Sequence, residues 1–340
     1  ALQVEKHLNK ARSLFTKGKE AEAKDLLNSI IKNFPQNKKV QFVLQQLKQS
    51  SVKQLNPSQE KINTLLKYYQ NGQLSTAENL ALSLTKEFPK HPFGWKVLGV
   101  ILLDVDRKIE ALSAIQRPIE IAPQHAGIHN NLGNILKGML RFEDAEISFK
   151  QSIKLNPKSA LSHNNLGIML KETARLDEAK TSFEQAIRLN PEFAVAYNNL
   201  GLTLLDLHSY EDAQASYTQA IKLNPKLAEA YNNLGLLFVS RGMATKHLEC
   251  FLKAISINPD NIVYRWNFAN LQLLKIYSTY EDYKKALQKF DYELTKLNSY
   301  ITTERLNKTF QFIGTCFPYY LAYFENNNRY LLEKHGEICC

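Results

Sequence analysis

Long apolar runs are missing from this 340-residue sequence. No uninterrupted hydrophobic stretch approaches the ~18 residues that a helix needs to cross a bilayer. Hydrophobic residues still make up 44% of the chain, which is enough for a continuous core. The opening residues 1–15 are charged and amphipathic, without the apolar segment of a secretory signal. We therefore predict no transmembrane helix and no membrane partner.

Cysteine is scarce and forms no recognisable motif. The four cysteines lack CxxC spacing, and two of them, Cys339 and Cys340, are adjacent. Adjacent cysteines are poorly placed for a disulfide framework, so a reducing compartment is the simplest location for the chain. We expect a cytoplasmic protein.

Catalytic and cofactor motifs are also missing. The sequence has no glycine-rich phosphate loop, no HExxH pair and no nucleophile elbow. The formal charge of +10, from 43 basic and 33 acidic residues, permits anionic partners, but no nucleic-acid recognition motif accompanies it. We expect no catalytic residue, cofactor or metal site within the chain, and no nucleic-acid partner.

What the sequence does contain is a strict internal repeat. Six prolines are spaced 34 residues apart, and the residues between them match in register: Pro89, Pro123, Pro157, Pro191, Pro225 and Pro259. A period of this length is typical of a solenoid, in which each unit packs on its neighbours. The function of such a chain is expected to lie on an extended surface.

Several positions of the repeat have a distinctive residue type when positions are counted from Ser58 and every 34th residue after it. Glycine at position 8 and alanine at position 20 let two antiparallel helices approach, and a large, usually aromatic residue at position 24 fills the space beside them. These residues are Gly99, Gly133, Gly167, Gly201 and Gly235; Ala77, Ala111, Ala145, Ala179 and Ala213; and Phe149, Phe183, Tyr217 and Phe251.

The pattern resembles the tetratricopeptide repeat (TPR) family over roughly residues 58–274. The resemblance implies an all-α fold, a right-handed TPR superhelix or α-solenoid, with a helical, aromatic-rich C-terminal extension. In this family the first helix of each repeat, helix A, lines the concave surface.

The period fails before the regular array. Residues 4–37 match one degenerate repeat, and Pro35 lies 54 residues before Pro89, which is one period plus 20. The extra residues predict a helix near Lys38–Gln49 and a polar linker that ends in a helix N-cap at about Ser58.

We therefore divide the chain into three parts. Residues 1–55 contain the degenerate repeat, the extra helix and the linker, residues 56–275 form the regular array, and residues 276–340 form a helical transition segment. The first part is either a small unit hinged to the main solenoid or a section of one continuous superhelix.

The segment behind the array carries a second resemblance. Within residues 277–339, YEDYKKALQKFDYEL followed by FPYYLAYFENNNRYLLEKHGEIC resembles the junction of O-linked N-acetylglucosamine transferases, including SPINDLY-like members. In that family the junction leads to the glycosyltransferase domain, so the resemblance implies that a catalytic domain follows and docks here. Without it, we expect the segment to fold back on the array or to form a homodimer. The implied interdomain docking residues are Phe317, Tyr319, Tyr320, Tyr323 and His335.

The candidate binding feature is a row of asparagines at positions 5 and 6 of helix A. An amide both donates and accepts hydrogen bonds, so such a row can hold the backbone of an extended peptide without reading its sequence. The resemblance to the transferases implies the same role, whereas the alternative is that the asparagines bond neighbouring helices. The predicted peptide-binding residues are Asn130, Asn131, Asn164, Asn165, Asn198, Asn199, Asn232, Asn233 and Asn267, with Lys137 and Lys171 adding a preference for acidic side chains.

A few single residues allow sharper predictions. Pro118 lies at position 27, inside helix B, and predicts a helix that is kinked or ends early near Gln116. His247 replaces the usual alanine at position 20, which predicts a loosened helix contact and a partly exposed imidazole. His129 and His163 lie at position 4, where other copies have tryptophan or tyrosine, so we interpret them as packing residues rather than metal ligands.

The predicted function is the capture of extended polypeptides, as the substrate-recognition part of an intracellular O-linked glycosyltransferase. The alternatives are a noncatalytic TPR adaptor or assembly scaffold, and the targeting array of another enzyme such as a sulfotransferase or methyltransferase. If position 6 faces the groove, alanine at Asn131, Asn165, Asn199 and Asn233 is expected to leave the helices intact and to weaken peptide binding.

Overall fold

The computed structural model describes residues 2–16, 19–45, 56–242, 246–270 and 280–300, and every regular element in these ranges is an α-helix. In chain order the helices are α1 (Leu2–Thr16), α2 (Glu20–Asn33), α3 (38–45), α4 (Gln59–Gln70), α5 (Leu74–Glu87), α6 (Pro92–Asp104), α7 (Lys108–Ile121), α8 (Ala126–Gly138), α9 (Phe142–Leu155), α10 (Ala160–Glu172), α11 (Leu176–Leu189), α12 (Ala194–Asp206), α13 (Tyr210–Leu223), α14 (Ala228–Ser240), α15 (Lys246–Ile257), α16 (Ile262–Asn270) and α17 (Tyr280–Tyr300). In the repeats the even-numbered helices α4 to α16 are the A helices and the odd-numbered helices α5 to α15 are the B helices, and the longer α17 follows α16 in the place of a B helix.

The four helix pairs from α8–α9 to α14–α15 share a close contact between the glycine at position 8 and the aromatic ring at position 24. A Cβ atom added to Gly133 would lie 2.5 Å from the Phe149 ring, and one added to Gly167 would lie 2.8 Å from the Phe183 ring. Both rings are fully buried. Glycine is therefore required where the aromatic side chain of helix B packs against the backbone of helix A, as the sequence predicted.

The turn from helix A to helix B depends on a left-handed residue at position 15. Gly72 and Gly242 supply it in two repeats, but four other repeats place a non-glycine residue there, including Leu140 with a φ of 60°. The amide of the next residue closes the turn, as Arg141 N donates to Leu136 O over 2.9 Å. This hydrogen bond is that of a Schellman cap, which ends helix A and reverses the chain.

The chain divides into two compact units, residues 1–155 and 156–340. In the first unit, α1 to α3 share a core that includes Leu27 and Val40, and α4 to α8 share a second core around Leu65, Ile101 and Ile115. In the second unit, α10 to α17 alternate in the same A and B order, with further buried clusters where α14, α15, α16 and α17 meet.

The fold predicted from the sequence, an all-α TPR solenoid, is confirmed for the described residues. Residues 4–37 form the helix pair α1 and α2, α3 begins at residue 38, and the Ser58 side chain caps α4 by accepting from the Lys61 amide. Residues 46–55 lie outside the described ranges, as do residues 301–340 with the docking residues Phe317, Tyr319, Tyr320, Tyr323 and His335. No helix within the described ranges combines the length and the apolar character needed to cross a membrane.

The structure overturns two expectations about single residues, the early end of α7 and the partly exposed His247. Helix α7 does not end near Gln116 but continues to Ile121, where the Ala122 amide donates to Pro118 O over 2.9 Å. Pro118 is buried, and the last turn forms although one backbone donor is missing. That α7 is kinked at Pro118 stays a prediction. His247 is 1% exposed rather than partly exposed, because its ring packs edge-on against Phe251 with the centroids 6.1 Å apart.

Candidate functional site

The two asparagine positions have different environments. Position 5 is buried, with 4% of Asn130, 3% of Asn164 and 6% of both Asn198 and Asn232 exposed. Position 6 is half-buried in the repeats that contain both amides, as at Asn199 and Asn233. Sequence reasoning treated both positions as one row, but position 5 is buried, and at position 6 Asn267 is also buried, with 6% exposed, in contrast to the half-buried asparagines of the preceding repeats.

Hydrogen bonds between the two positions link consecutive A helices. Asn199 Nδ2 donates to Asn164 Oδ1 over 3.0 Å, which joins α12 to α10. The same bond recurs from Asn233 to Asn198 over 3.0 Å and from Asn267 to Asn232 over 2.8 Å. The asparagines of the second unit therefore form an inter-repeat ladder that satisfies the buried oxygens at position 5.

The ladder leaves hydrogen-bonding capacity at the surface. A side-chain amide has two N–H donors and one oxygen acceptor, and the ladder bond uses one N–H of the position 6 residue. Among the described residues no donor bonds to Asn199 Oδ1, while Asn233 Oδ1 accepts a long 3.5 Å bond from Asn232. A half-buried amide with an unused oxygen and a second N–H matches the needs of one peptide group.

Apolar side chains flank the position 6 asparagines on the same helix face. Positions 2, 6 and 9 lie on one stripe of an α-helix because they are separated by four and three residues. Leu161 and Val195 at position 2 are 53% and 40% exposed, and Leu202 and Leu236 at position 9 are half-buried. We call the surface formed by positions 2, 5, 6, 9, 12 and 13 the A-helix face.

Polar pairs join neighbouring A helices at positions 12 and 13. Tyr69 donates to Asp104 Oδ2 over 2.6 Å, and burial together with this carboxylate raises the pKa of Tyr69 to about 12. The ammonium of Lys171 lies 2.9 Å from Asp206 Oδ2, so its charge is already compensated within the chain. Lys137 is half-buried in the last turn of α8. The preference for acidic side chains assigned to these lysines stays a prediction.

In α6 and α8 the residue at position 4 bonds to the carbonyl of the proline that precedes the helix. His129 Nε2 lies 2.7 Å from Pro123 O, and the indole N–H of Trp95 donates to Pro89 O over 3.1 Å. Burial lowers the pKa of His163, which occupies the same position. The described residues contain no cluster of histidine, cysteine, aspartate and glutamate that could hold a metal ion. His129 therefore has a packing and capping environment.

Sequence reasoning missed Lys96, which occupies position 5 on α6 where the following four repeats have asparagine. The lysine is half-buried on the A-helix face, and burial lowers the pKa of its ammonium. The lysine at position 5 was visible when the repeats were compared with one another. Its burial depends on the packing of neighbouring helices, which the sequence does not show.

Comparison with known sequences identifies the repeat. A comparison with curated proteins found no match. Family models described as TPR or tetratricopeptide repeats match residues 7–37, 126–159, 148–181, 182–215, 203–242 and 228–261. The chain therefore contains a tetratricopeptide repeat array, and the pair α1 and α2 is part of the match.

Solved structures with this fold include the following three. The chain is similar to the Cut9–Hcn1 hetero-tetramer of the APC/C, with 17% identity, a TM-score of 0.56 and coverage of 78% of this chain and 55% of that one. It is also similar to Pseudomonas aeruginosa PilF (19% identity, TM-score 0.50, coverage 61% and 94%) and to the type IV pilus biogenesis factor PilW (19%, 0.52, 60% and 96%). At these identities the comparisons show the fold alone.

Proposed function

We propose that the A-helix face of this chain binds extended polypeptides through their backbone. The observation that carries the proposal is the half-buried amide at position 6, which recurs every 34 residues and keeps an unused acceptor at Asn199. Exposed apolar side chains at position 2, such as Leu161 and Val195, supply surface for the side chains of the bound peptide. The expected partners are protein or peptide substrates.

We further propose that these polypeptides are acceptors for an intracellular O-linked glycosyltransferase that contains the array. The support is the resemblance of residues 277–339 to the repeat–transferase junction. Sequencing the transcript beyond the codon for Cys340 tests this part directly. A following two-lobed nucleotide-sugar transferase supports it, whereas a stop codon favours the adaptor and a sulfotransferase or methyltransferase domain favours a different enzyme.

A test of the binding proposal needs two variants that both lack one ladder bond and that differ only in whether a surface amide remains. Changing Asn164 and Asn199 together to alanine removes both partners of one ladder bond, so no buried oxygen loses its donor. This pair also removes one surface amide. Changing Asn164 alone to alanine is the matched control, because Asn164 is 3% exposed and the Asn199 amide remains at the surface.

A randomised dodecapeptide library selected on the immobilised chain supplies the probes, and fluorescence anisotropy measures their affinities. We expect the double variant to bind selected peptides about two- to tenfold more weakly than Asn164→Ala, since one backbone contact is worth about 0.5–1.5 kcal/mol. The loss is expected to be similar for peptides of different sequence. Equal affinities for the double and single variants, with folding intact, would count against backbone binding.

A further inference from the structure

A cavity lies on the side of α6 that is turned away from the A-helix face. Helix α6 packs against α5 and α7, and a cavity of about 360 Å³ opens between these two B helices. Its lining includes positions 4, 7 and 11 of α6, which lie roughly 170° around the helix from positions 5, 6 and 9. We call this cavity the B-side pocket. Its apolar lining consists of Leu82, Trp95, Leu98, Leu102 and Ala114.

The next repeat provides a reference for this pocket. Leu82, Trp95 and Ala114 hold positions 25, 4 and 23, and Leu82 is 36% exposed. The corresponding residues between α7 and α9 are Gln116, His129 and Ser148. Because α8 and α9 pair with polar residues at these positions, helix packing does not require the apolar ones. An apolar groove that packing does not require indicates a contact site.

The charged residues at the two ends of the pocket differ in their bonding. At one end Arg107 donates from all three guanidinium nitrogens to Glu78 and Glu110. Two turns further along α7, Arg117 makes one hydrogen bond within the described ranges, over 3.1 Å to Glu120. The side chains of this pair are 64% and 65% exposed, and such an ion pair adds little stability. Arg117 is therefore available to an incoming carboxylate.

The shape of the pocket fits part of a protein surface better than a free small molecule. Sites for small molecules usually bury most of their ligand. Here the mouth is open along Leu82, Ser113 and Arg117, all of which are exposed. A small apolar floor inside a charged rim is typical of a protein interface, in which one large side chain of the partner contributes much of the binding energy.

We propose that the B-side pocket holds one side chain of leucine or phenylalanine size from a partner protein, and that an aspartate or glutamate next to it in the partner binds Arg117. The partner is a second protein that binds away from the A-helix face, so this contact goes beyond the proposed function and does not depend on it. A chain with both contacts would hold a polypeptide on one side and the partner on the other.

Short blocked peptides reproduce the two features of the partner. The probes are acetyl-Phe-Glu-amide, acetyl-Phe-Gln-amide and acetyl-Ala-Glu-amide, and 3-phenylpropionate represents a free apolar acid. The chain has two tryptophans, Trp95 and Trp266, so labelling with 5-fluorotryptophan gives two fluorine NMR signals, and Trp266→Phe identifies the signal of Trp95. Because Trp95 lines the pocket, its signal reports binding there rather than on the A-helix face.

The variants take their residue types from the repeat itself. Leu82→Gln combined with Ala114→Ser gives the pocket the side chains of the next repeat, so the helices are expected to form. Leu82→Gln alone, at a 36% exposed position, repeats the test if the double variant unfolds. Ile109→Gln is the matched control, because it removes a 75% exposed apolar side chain from α7 outside the pocket.

We expect the parent and Ile109→Gln to bind acetyl-Phe-Glu-amide about tenfold more tightly than acetyl-Ala-Glu-amide, as for burial of one large apolar side chain. The double variant is expected to lose this preference. The parent is expected to bind the glutamate peptide about two- to fivefold more tightly than the glutamine peptide, as for an exposed ion pair. Arg117→Gln is expected to bind these two peptides equally.

The contrary results reject separate parts of the proposal. If the alanine and phenylalanine peptides bind alike, or if a folded double variant keeps the preference, the pocket does not hold an apolar side chain. Equal binding of the glutamate and glutamine peptides by the parent rejects the contact with Arg117. Tighter binding of 3-phenylpropionate than of acetyl-Phe-Glu-amide would assign the pocket to a small apolar acid. Self-association of the parent in sedimentation velocity, abolished in the double variant, would replace the partner by a second copy of the chain.

Discussion

The asparagine ladder predicts a specific stability cost at Asn233. Its amide donates over 3.0 Å to the oxygen of Asn198, which is 6% exposed. Changing Asn233 to alanine leaves that oxygen buried without its donor, at a cost of about 1–3 kcal/mol. Alanine recovers roughly 0.5 kcal/mol through its higher helix propensity. We therefore expect a net loss of about 0.5–2.5 kcal/mol in the free energy of unfolding.

The chain offers a matched control for this experiment in Asn131, the same residue type at the same repeat position. The residue 35 positions before it is Lys96 instead of an asparagine, and within the described residues Asn131 makes no ladder bond. Asn131→Ala is expected to leave the free energy of unfolding unchanged or slightly raised, because only the helix propensity term applies.

Urea unfolding measures both variants, and hydrogen exchange of the α12 and α14 amides reports where stability is lost. Local exchange is needed because repeats in a solenoid can unfold separately. Adding Asn198→Ala to Asn233→Ala is expected to recover part of the loss, since both partners of the bond are then removed. If Asn233→Ala and Asn131→Ala unfold alike, the ladder does not stabilise the array and our reasoning about the buried oxygen is refuted.

Two further predictions concern buried and strained groups. The hydroxyl of Tyr217 is buried and has no hydrogen-bond partner in the described structure. Tyr217→Phe, which introduces the residue type of the neighbouring repeats, is therefore expected to raise the free energy of unfolding by about 1 kcal/mol. A lower free energy of unfolding in urea would show that the hydroxyl has a hydrogen-bond partner. Leu140 holds a φ of 60° while 74% exposed, so Leu140→Gly is expected to raise thermal stability by up to about 1 kcal/mol, as left-handed strain is relieved without loss of packing. A lower melting temperature would show that the leucine side chain contributes more than the strain costs.

The pairing of helices was predictable because it depends on short-range patterns. The 34-residue period placed the prolines, and the types of residue at positions 8 and 24 predicted the contact that the structure shows between Gly133 and Phe149. Ser58 was likewise identifiable as an N-cap, because the capping bond to the Lys61 amide lies within one turn. Such contacts lie within one repeat, so the sequence near them contains both partners.

The environment of individual side chains could not be obtained in the same way. Asparagines at positions 5 and 6 look alike in sequence, yet Asn198 is buried and accepts from Asn233 of the next repeat. Pro118 and His247 break local rules, yet α7 continues past Pro118 to Ile121 and His247 is 1% exposed. The fold of each repeat follows from local chemistry, whereas exposure and partners follow from how one repeat stacks on the next. The ladder partners themselves lie 35 residues apart, as Asn198 and Asn233 do, so no local pattern shows which of the two is buried.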